Sequence, residues 1–132
     1  MKALTLQPIA ATLVAGGDKT IECRTWQTKY RGPILFCAGA KKMRGYLHGH
    51  AFMVAELVDI VPFEKKHLKD AAMAEMPDEK CYAWLFKNFK VIYPFKQKGQ
   101  LGLFNVDDEL IKIIPDDAPD EVLFELYSPL LR

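Results

Sequence analysis

The chain has 132 residues, of which 50% are hydrophobic and 27% charged, and its formal net charge is +1. This composition supports one hydrophobic core and excludes a disordered polyelectrolyte, and no apolar run reaches the roughly 18 residues that a membrane helix needs. We therefore expect a single domain over residues 1–132, with no membrane segment.

The three cysteines, Cys23, Cys37 and Cys81, are odd in number and widely spaced in apolar or alternating segments. Such cysteines are typical of reduced, buried thiols in a cytoplasmic protein. We expect no signal peptide, because Gln7-Pro8 interrupts the mildly apolar N-terminus. The predicted location is the cytoplasm.

The net charge is close to zero, but the charges are grouped along the chain into basic and acidic blocks. Residues 16–50 carry seven Lys or Arg against two acids, and residues 80–100 carry five Lys and no acid, whereas residues 51–79 and 101–132 are acidic. A fold that joins the two basic blocks would form a positive face that attracts phosphates or other anions. The alternative is that the blocks interleave and neutralise each other.

The first elements are short. Residues 2–6 form a strand candidate, and Pro8 suits the first turn of a helix over residues 8–15. Gly16-Gly17 end that helix, because glycine adopts left-handed geometry at little cost. The helix delivers the chain into the charged and aromatic segment that follows.

Residues 20–26 alternate with a period of two, which predicts a strand. Glu22, Arg24 and Trp26 share one face of it. Residues 33–38 predict the next strand, and a loop rich in glycine and basic residues follows.

The second half reads as strands with interspersed helices. Residues 51–63 predict a buried strand, residues 64–76 a helix, and residues 81–93 one or two strands with a bend near Lys87-Asn88. A loop containing glycine and lysine then leads into a short strand. An Asp-capped segment over 107–114 and a short helix that begins at Pro119 complete the chain. Several short strands with few helices indicate an α+β domain built on a small, possibly closed sheet.

Four segments of the sequence form a recognisable series along the chain. They are LTLQPIAATLVAGGDKTIECRTWQTKYRGPILFCA, VAELVDIVPF, YAWLF and KGQLGLF, within residues 4–105. In this order they resemble the activating signal cointegrator homology (ASCH) family of the PUA-like superfamily. The resemblance implies a small mixed β-barrel with flanking short helices. We expect a core over about residues 2–106 and a C-terminal extension, 107–132, that packs on it away from the ligand-binding face; the alternative is that the extension is an interaction segment.

The resemblance also implies a function. Members of the ASCH family are generally thought to bind RNA, in a cleft where a K-x-x-E-x-R element meets later loops. One branch hydrolyses N4-acetylcytidine with a catalytic lysine, which Lys19 matches, but that branch has a threonine where this chain has Glu22. A ribonuclease has been proposed for another branch. A catalytic role for Lys19 and Glu22 is therefore one prediction.

A second prediction is a ligand-binding surface. Its residues are Lys19, Glu22, Arg24, Trp26, Tyr30, Arg31, Lys42, Arg44, Lys98 and Gly99. Cations interleaved with aromatics suit single-stranded nucleic acid, in which bases stack and phosphates pair. The resemblance places Lys98 and Gly99 near the cleft.

Each assignment has a structural alternative. Glu22 and Arg24 could form an ion pair at the barrel mouth, Trp26 could cover the core, and the loop carrying Lys42 and Arg44 could be only a solvated surface loop.

The predicted partner is RNA or a nucleotide-like anion, bound in a basic cleft. The alternatives are a small hydrolase acting on a modified nucleoside or RNA, and a protein-interaction module. We predict no cofactor. We also predict no metal, since His48 and His50 lack a third ligand at sensible spacing.

Overall fold

The computed structural model describes all 132 residues and contains one six-stranded mixed sheet. In chain order the elements are β1 (Lys2–Leu6), α1 (Pro8–Ala15), β2 (Ile21–Arg24), β3 (Gly32–Ala38), β4 (His50–Pro62), β5 (Tyr82–Lys96), β6 (Leu103–Asn105) and α2 (Asp120–Tyr127). The strand order is β2-β5-β4-β3-β1-β6, with β1 and β3 parallel and every other pair antiparallel. The sheet curves into a half-barrel, which confirms the predicted α+β class.

The strands bury side chains on both faces. Along β3, Ile34 and Phe36 enter the main core, whereas Leu35 and Cys37 enter a second cluster on the opposite face. This alternation follows from the period of two of a strand. The main core contains the fully buried Trp84, Phe36 and Phe52.

The predicted helix α1 is confirmed with its bounds. Pro8 occupies its first turn, and Gly17 follows its end with a φ of +83°. The predicted strand over 81–93 is one continuous strand, β5, in which Asn88 adopts a left-handed φ of +57°. That residue lies beside a register irregularity between β4 and β5.

The predicted helix over 64–76 is wrong. Only a 3₁₀ turn, Lys65–His67, forms, and turns follow it. The Asp70 carbonyl accepts from the N–H groups of Thr20 and Ile21, at 2.8 and 3.0 Å. Ala72 has a φ of +56°, which no α-helix continues through. A regular helix would use the Asp70 carbonyl internally, so docking against the start of β2 replaces helix formation.

The C-terminal segment contacts both cores. Tyr127 and Leu131 pack against the main core, and Ile111 packs against the second one. The predicted capping by aspartate occurs at Asp107, whose side chain accepts from the Glu109 N–H at 3.0 Å. No helix is long and apolar enough to cross a membrane.

Candidate functional site

Four segments converge at the C-terminal end of β1, and the topology explains why. β1 and β3 are parallel with Leu6 opposite Ala38, so the segments that follow both strands leave the sheet at the same end. β6 is antiparallel to β1 with Leu103 opposite Leu4, so the loop that leads into β6 ends there too. The curvature of the sheet brings Arg24, at the end of β2, to the same place.

These segments enclose an open cleft of about 1000 Å³. Its walls are formed by Thr5, Leu6, Gln7, Pro8, Ile9, Arg24, Trp26, Gly39, Ala40, Lys41, Met43, Lys98, Gly99, Gln100, Leu101 and Gly102. This volume lies at the upper end of the usual range for ligand pockets, roughly 300–1000 Å³. It has room for a nucleotide or a short stretch of chain.

The charge of the cleft wall is of one sign. Arg24, Lys41 and Lys98 line it, and no aspartate or glutamate does. The three cations come from separate parts of the sequence and meet only in the fold. A concave wall with cations of one sign concentrates the field and attracts anions.

An aromatic side chain forms part of the same wall. Trp26 lines the cleft and packs edge-on against the fully buried Trp84, with ring centroids 4.8 Å apart and an interplanar angle of 75°. The Trp84 indole N–H also donates to the Trp26 carbonyl at 3.2 Å. Trp26 therefore covers the core with part of its surface and also lines the cleft.

Arg24 belongs to a network of three charged side chains, which it forms with Glu22 and Lys19. The Glu22 carboxylate contacts Lys19 Nζ at 3.3 Å through one oxygen and accepts from Arg24 at 3.0 Å through the other. Lys19 Nζ also donates to the Ala71 carbonyl at 2.8 Å, and the Arg24 guanidinium donates to the Thr5 carbonyl at 2.8 Å. The predicted ion pair on the face of β2 is thus present and extends to a third charge.

Burial distinguishes these three side chains. Lys19 is 7% exposed, Glu22 13% and Arg24 23%. Of the three, only Arg24 lines the cleft. Of the two predicted catalytic residues, Glu22 contacts Arg24 directly, and Lys19 contacts Glu22 but not Arg24.

The loop over 97–102 is seated on Thr5. The Gln100 N–H donates to Thr5 Oγ1 at 3.1 Å. At Gly99 an added Cβ would lie 2.7 Å from Thr5 Cγ2, so only glycine fits without a shift. Gly99, predicted as a site residue, therefore lets the loop approach β1 and brings Lys98 to the cleft.

Four other predicted site residues do not line the cleft. The Tyr30 hydroxyl donates to the Pro33 carbonyl at 2.7 Å, and Arg31 contacts Asp59 at 3.5 Å. Lys42 and Arg44 are exposed on the loop that follows β3, outside the cleft wall.

Lys41 lines the cleft, whereas the predicted site set took only Lys42 and Arg44 from this loop. It lies next to Lys42 in the same basic loop, so the composition indicates the loop but not which lysine faces inward. The apolar part of the wall, including Ile9, Met43 and Leu101, was also missed. The one signal that singles out Leu101 is its complete exposure, which is unusual for a leucine and cannot be read from the sequence.

Two of the three thiols have a raised pKa. Burial, with smaller contributions from the neighbouring Cys81 and Glu22 and against the opposing effect of Lys19, raises the pKa of Cys23 to about 12. Burial likewise raises the pKa of Cys37 to about 12. All three cysteines are free, and no group of three or more His, Cys, Asp or Glu side chains is arranged to hold a metal ion.

A mixed half-barrel with short flanking helices defines a PUA-like α+β protein, as the sequence predicts. The pattern that describes the ASCH domain matches residues 4–101 of this chain, and the chain belongs to the ASCH domain family.

Solved structures agree with this assignment. The ASCH protein from Zymomonas mobilis is 19% identical, with a TM-score of 0.61, over 82% of this chain and 88% of that one. Two mutant proteins of the same Zymomonas mobilis ASCH protein are each 18% identical over 82% of this chain, with TM-scores of 0.65 and 0.64 and coverages of 91% and 89% of those chains. These similarities establish the fold. A search of curated proteins found no significant match.

Proposed function

We propose that the cleft binds single-stranded RNA or a nucleotide-like anion. The observation that carries this proposal is the wall itself: Arg24, Lys41 and Lys98 meet with Trp26 and without any carboxylate. Cations pair with phosphates, and an aromatic side chain beside them offers a surface on which a base stacks. Membership of the ASCH domain family supports an RNA-related role.

The proposal favours single strands over duplexes. A base stacks on Trp26 only when it is unpaired and can leave its own helix, as in loops and ends of RNA. Stacking on one aromatic side chain contributes about 1–3 kcal/mol. A duplex of the same length would retain only the phosphate contacts, so it should bind more weakly.

Arg24 has the central role. Through one terminal nitrogen it donates to Glu22 and to the Thr5 carbonyl. The remaining N–H groups of its planar fork are available for a phosphate or a base edge. Glu22 orients this guanidinium and Lys19 contacts Glu22, which are the roles that the proposal gives them in place of catalysis.

The test uses two matched pairs of lysines. Lys41 and Lys98 line the cleft, whereas Lys42 and Lys96 are exposed close to them in sequence and do not line it. Doubly substituted proteins, Lys41→Ala with Lys98→Ala and Lys42→Ala with Lys96→Ala, lose the same charge. Arg24→Ala is a poorer probe, since Arg24 also joins β2 to β1.

Filter binding to single-stranded RNA at two salt concentrations supplies the measurement. We expect wild-type affinity to fall with salt, with a slope of about 0.7 for each phosphate contacted. The cleft pair of substitutions should weaken binding about 10-fold or more and reduce the slope, whereas the control pair should change affinity less than about 2-fold. Equal losses in the two proteins would refute the cleft as the site.

The two alternatives give different results. A hydrolase would turn over N4-acetylcytidine or RNA and lose that activity in Lys19→Met. A protein-interaction module would bind no RNA and would bind a protein partner in a salt-insensitive way. The buried, doubly bonded state of Lys19 favours neither catalysis nor direct ligand contact by this residue.

A further inference from the structure

Residues 40–46 of the loop between β3 and β4 carry two side chains of the cleft wall but form few backbone hydrogen bonds, whereas Gly39 and Leu47 on either side are anchored to β1 and α1. Lys41 and Met43 line the cleft. Over residues 40–46 the backbone forms one hydrogen bond to another segment, from the Gly45 N–H to the Leu131 carbonyl at 2.6 Å. The bond from the Tyr46 N–H to the Met43 carbonyl is internal to the loop.

The segment that accepts this hydrogen bond is itself anchored. Leu131 ends the 3₁₀ turn Ser128–Leu131, which directly follows α2. The Tyr127 hydroxyl lies 2.8 Å from the Phe52 carbonyl and 2.6 Å from the Ile92 carbonyl, so it is held between β4 and β5. Tyr127 and Leu131 also pack on the main core.

The junction between the tail and the barrel is apolar. A cavity of about 300 Å³ lies there, and Leu47 from the loop lines it together with Leu123, Tyr127 and Leu131 from the tail. The loop is therefore held at this junction by the Gly45 hydrogen bond to the tail and by the Leu47 N–H, which donates to Thr12 Oγ1 of α1 at 2.9 Å. The tail lies outside residues 4–101, which the ASCH domain pattern covers.

We propose that the tail segment 127–131 positions the basic loop, so that Lys41 is ordered in the cleft before a ligand arrives. Tyr127 and Leu131 are then positioning residues for binding, although neither lines the cleft. An unordered loop would lose conformational freedom when Lys41 contacted a phosphate, and this loss would weaken binding. The effect on affinity rests on the proposed function, whereas the effect on loop order does not.

Leu131→Asp is the main probe, because a charge in an apolar cavity would drive this turn into solvent. Leu131→Ala is a milder second variant. Phe124→Ala is the control: Phe124 is on the same tail, is 71% exposed and does not line the cavity. All three are made in the full chain.

Hydrogen exchange by mass spectrometry tests the tether directly. We expect the Gly45 and Tyr46 amides, the two that donate backbone hydrogen bonds within residues 40–46, to exchange at least about 10-fold faster in Leu131→Asp, by a smaller factor in Leu131→Ala, and at the wild-type rate in Phe124→Ala. Peptides from β4 should remain protected in all three, which shows that the barrel is intact. Wild-type exchange in 40–46 combined with faster exchange in 127–131 would overturn the proposal.

Binding of single-stranded RNA tests the consequence. We expect Leu131→Asp to weaken binding about 3- to 5-fold and to lower the salt slope by about 0.7, the value for one lost phosphate contact. In a Lys41→Ala background the same substitution should have almost no further effect, because it acts through Lys41. An equal loss in both backgrounds, or no loss in either, would overturn the positioning role. If the wild-type protein bound no RNA, the proposed function would fail. Hydrogen exchange alone would then show whether the tail segment 127–131 orders the basic loop.

Discussion

Replacing Glu22 tests the charged chain behind the cleft. Its carboxylate lies 3.3 Å from Lys19 Nζ and 3.0 Å from Arg24, and it is only 13% exposed. At an effective dielectric constant near 20, one unit charge 3.3 Å from its partner gains about 5 kcal/mol, most of which desolvation offsets. Removing one partner of a buried pair nevertheless costs about 3–5 kcal/mol, because the other charge stays buried and uncompensated.

We therefore expect Glu22→Leu to lower the free energy of unfolding by about 3 kcal/mol at pH 7. Lys19 has the larger share in this loss, since its side chain is 7% exposed and would retain only the Ala71 carbonyl. The assay is urea unfolding followed by circular dichroism, with the midpoint and slope fitted for each protein.

The double variant Lys19→Met with Glu22→Leu supplies the decisive comparison. With both charges replaced by apolar groups of similar length, the free energy of unfolding should recover to within about 1–2 kcal/mol of wild type. RNA affinity of Lys19→Met should stay within about 2-fold, because Lys19 does not line the cleft. Additive losses in the double variant would refute the coupling, and a large loss of affinity in Lys19→Met would refute the expectation that Arg24 stays in place on Glu22 and the Thr5 carbonyl without this lysine.

Three further outcomes follow from the contacts described. Gly99→Ala should displace the loop from Thr5, costing about 1–3 kcal/mol of stability and weakening RNA binding; unchanged thermal unfolding and affinity would contradict the close approach. RNA should quench tryptophan fluorescence in Trp84→Phe but much less in Trp26→Phe, because only Trp26 lines the cleft; the reverse pattern would place the ligand elsewhere. The free energy of unfolding in urea should decline as the pH rises above 9. The Cys37 thiol has a pKa near 12 in the folded chain against 9.0 in the unfolded chain, so between these values only the unfolded chain releases the proton. Cys37→Ala should show a shallower decline, and an equal decline would contradict this assignment.

Local sequence patterns predicted the elements whose ends carry strong local signals. Pro8 and the glycines after residue 15 delimit α1, and the alternation around Glu22 and Arg24 places both on one face of β2. Residues 64–76 have a helical pattern of apolar residues, but the prediction was wrong because the Asp70 carbonyl bonds to the start of β2 instead. That competition involves residues about 50 positions apart, which no local pattern encodes.

The candidate site was predictable only in part for a similar reason. The charge blocks and the family resemblance indicated a meeting of residues near 24 with residues near 98, and Arg24 and Lys98 do line one cleft. The choice of Lys41 over Lys42 depends on how one loop is held. The tail hydrogen bond at Gly45 is part of that geometry, and it joins residues 86 positions apart.

The order of the strands also bears on how the protein behaves at high concentration. The marginal strands of the sheet, β2 and β6, are four and three residues long, whereas the long strands β4 and β5 lie between other strands. β2 covers Tyr82–Leu85 of β5, and the bridge between Ile92 and Ile113 covers part of the remaining edge, so the uncovered stretches at which a second molecule could add a strand are short. Strand-to-strand polymerisation therefore has only a short template on which to begin.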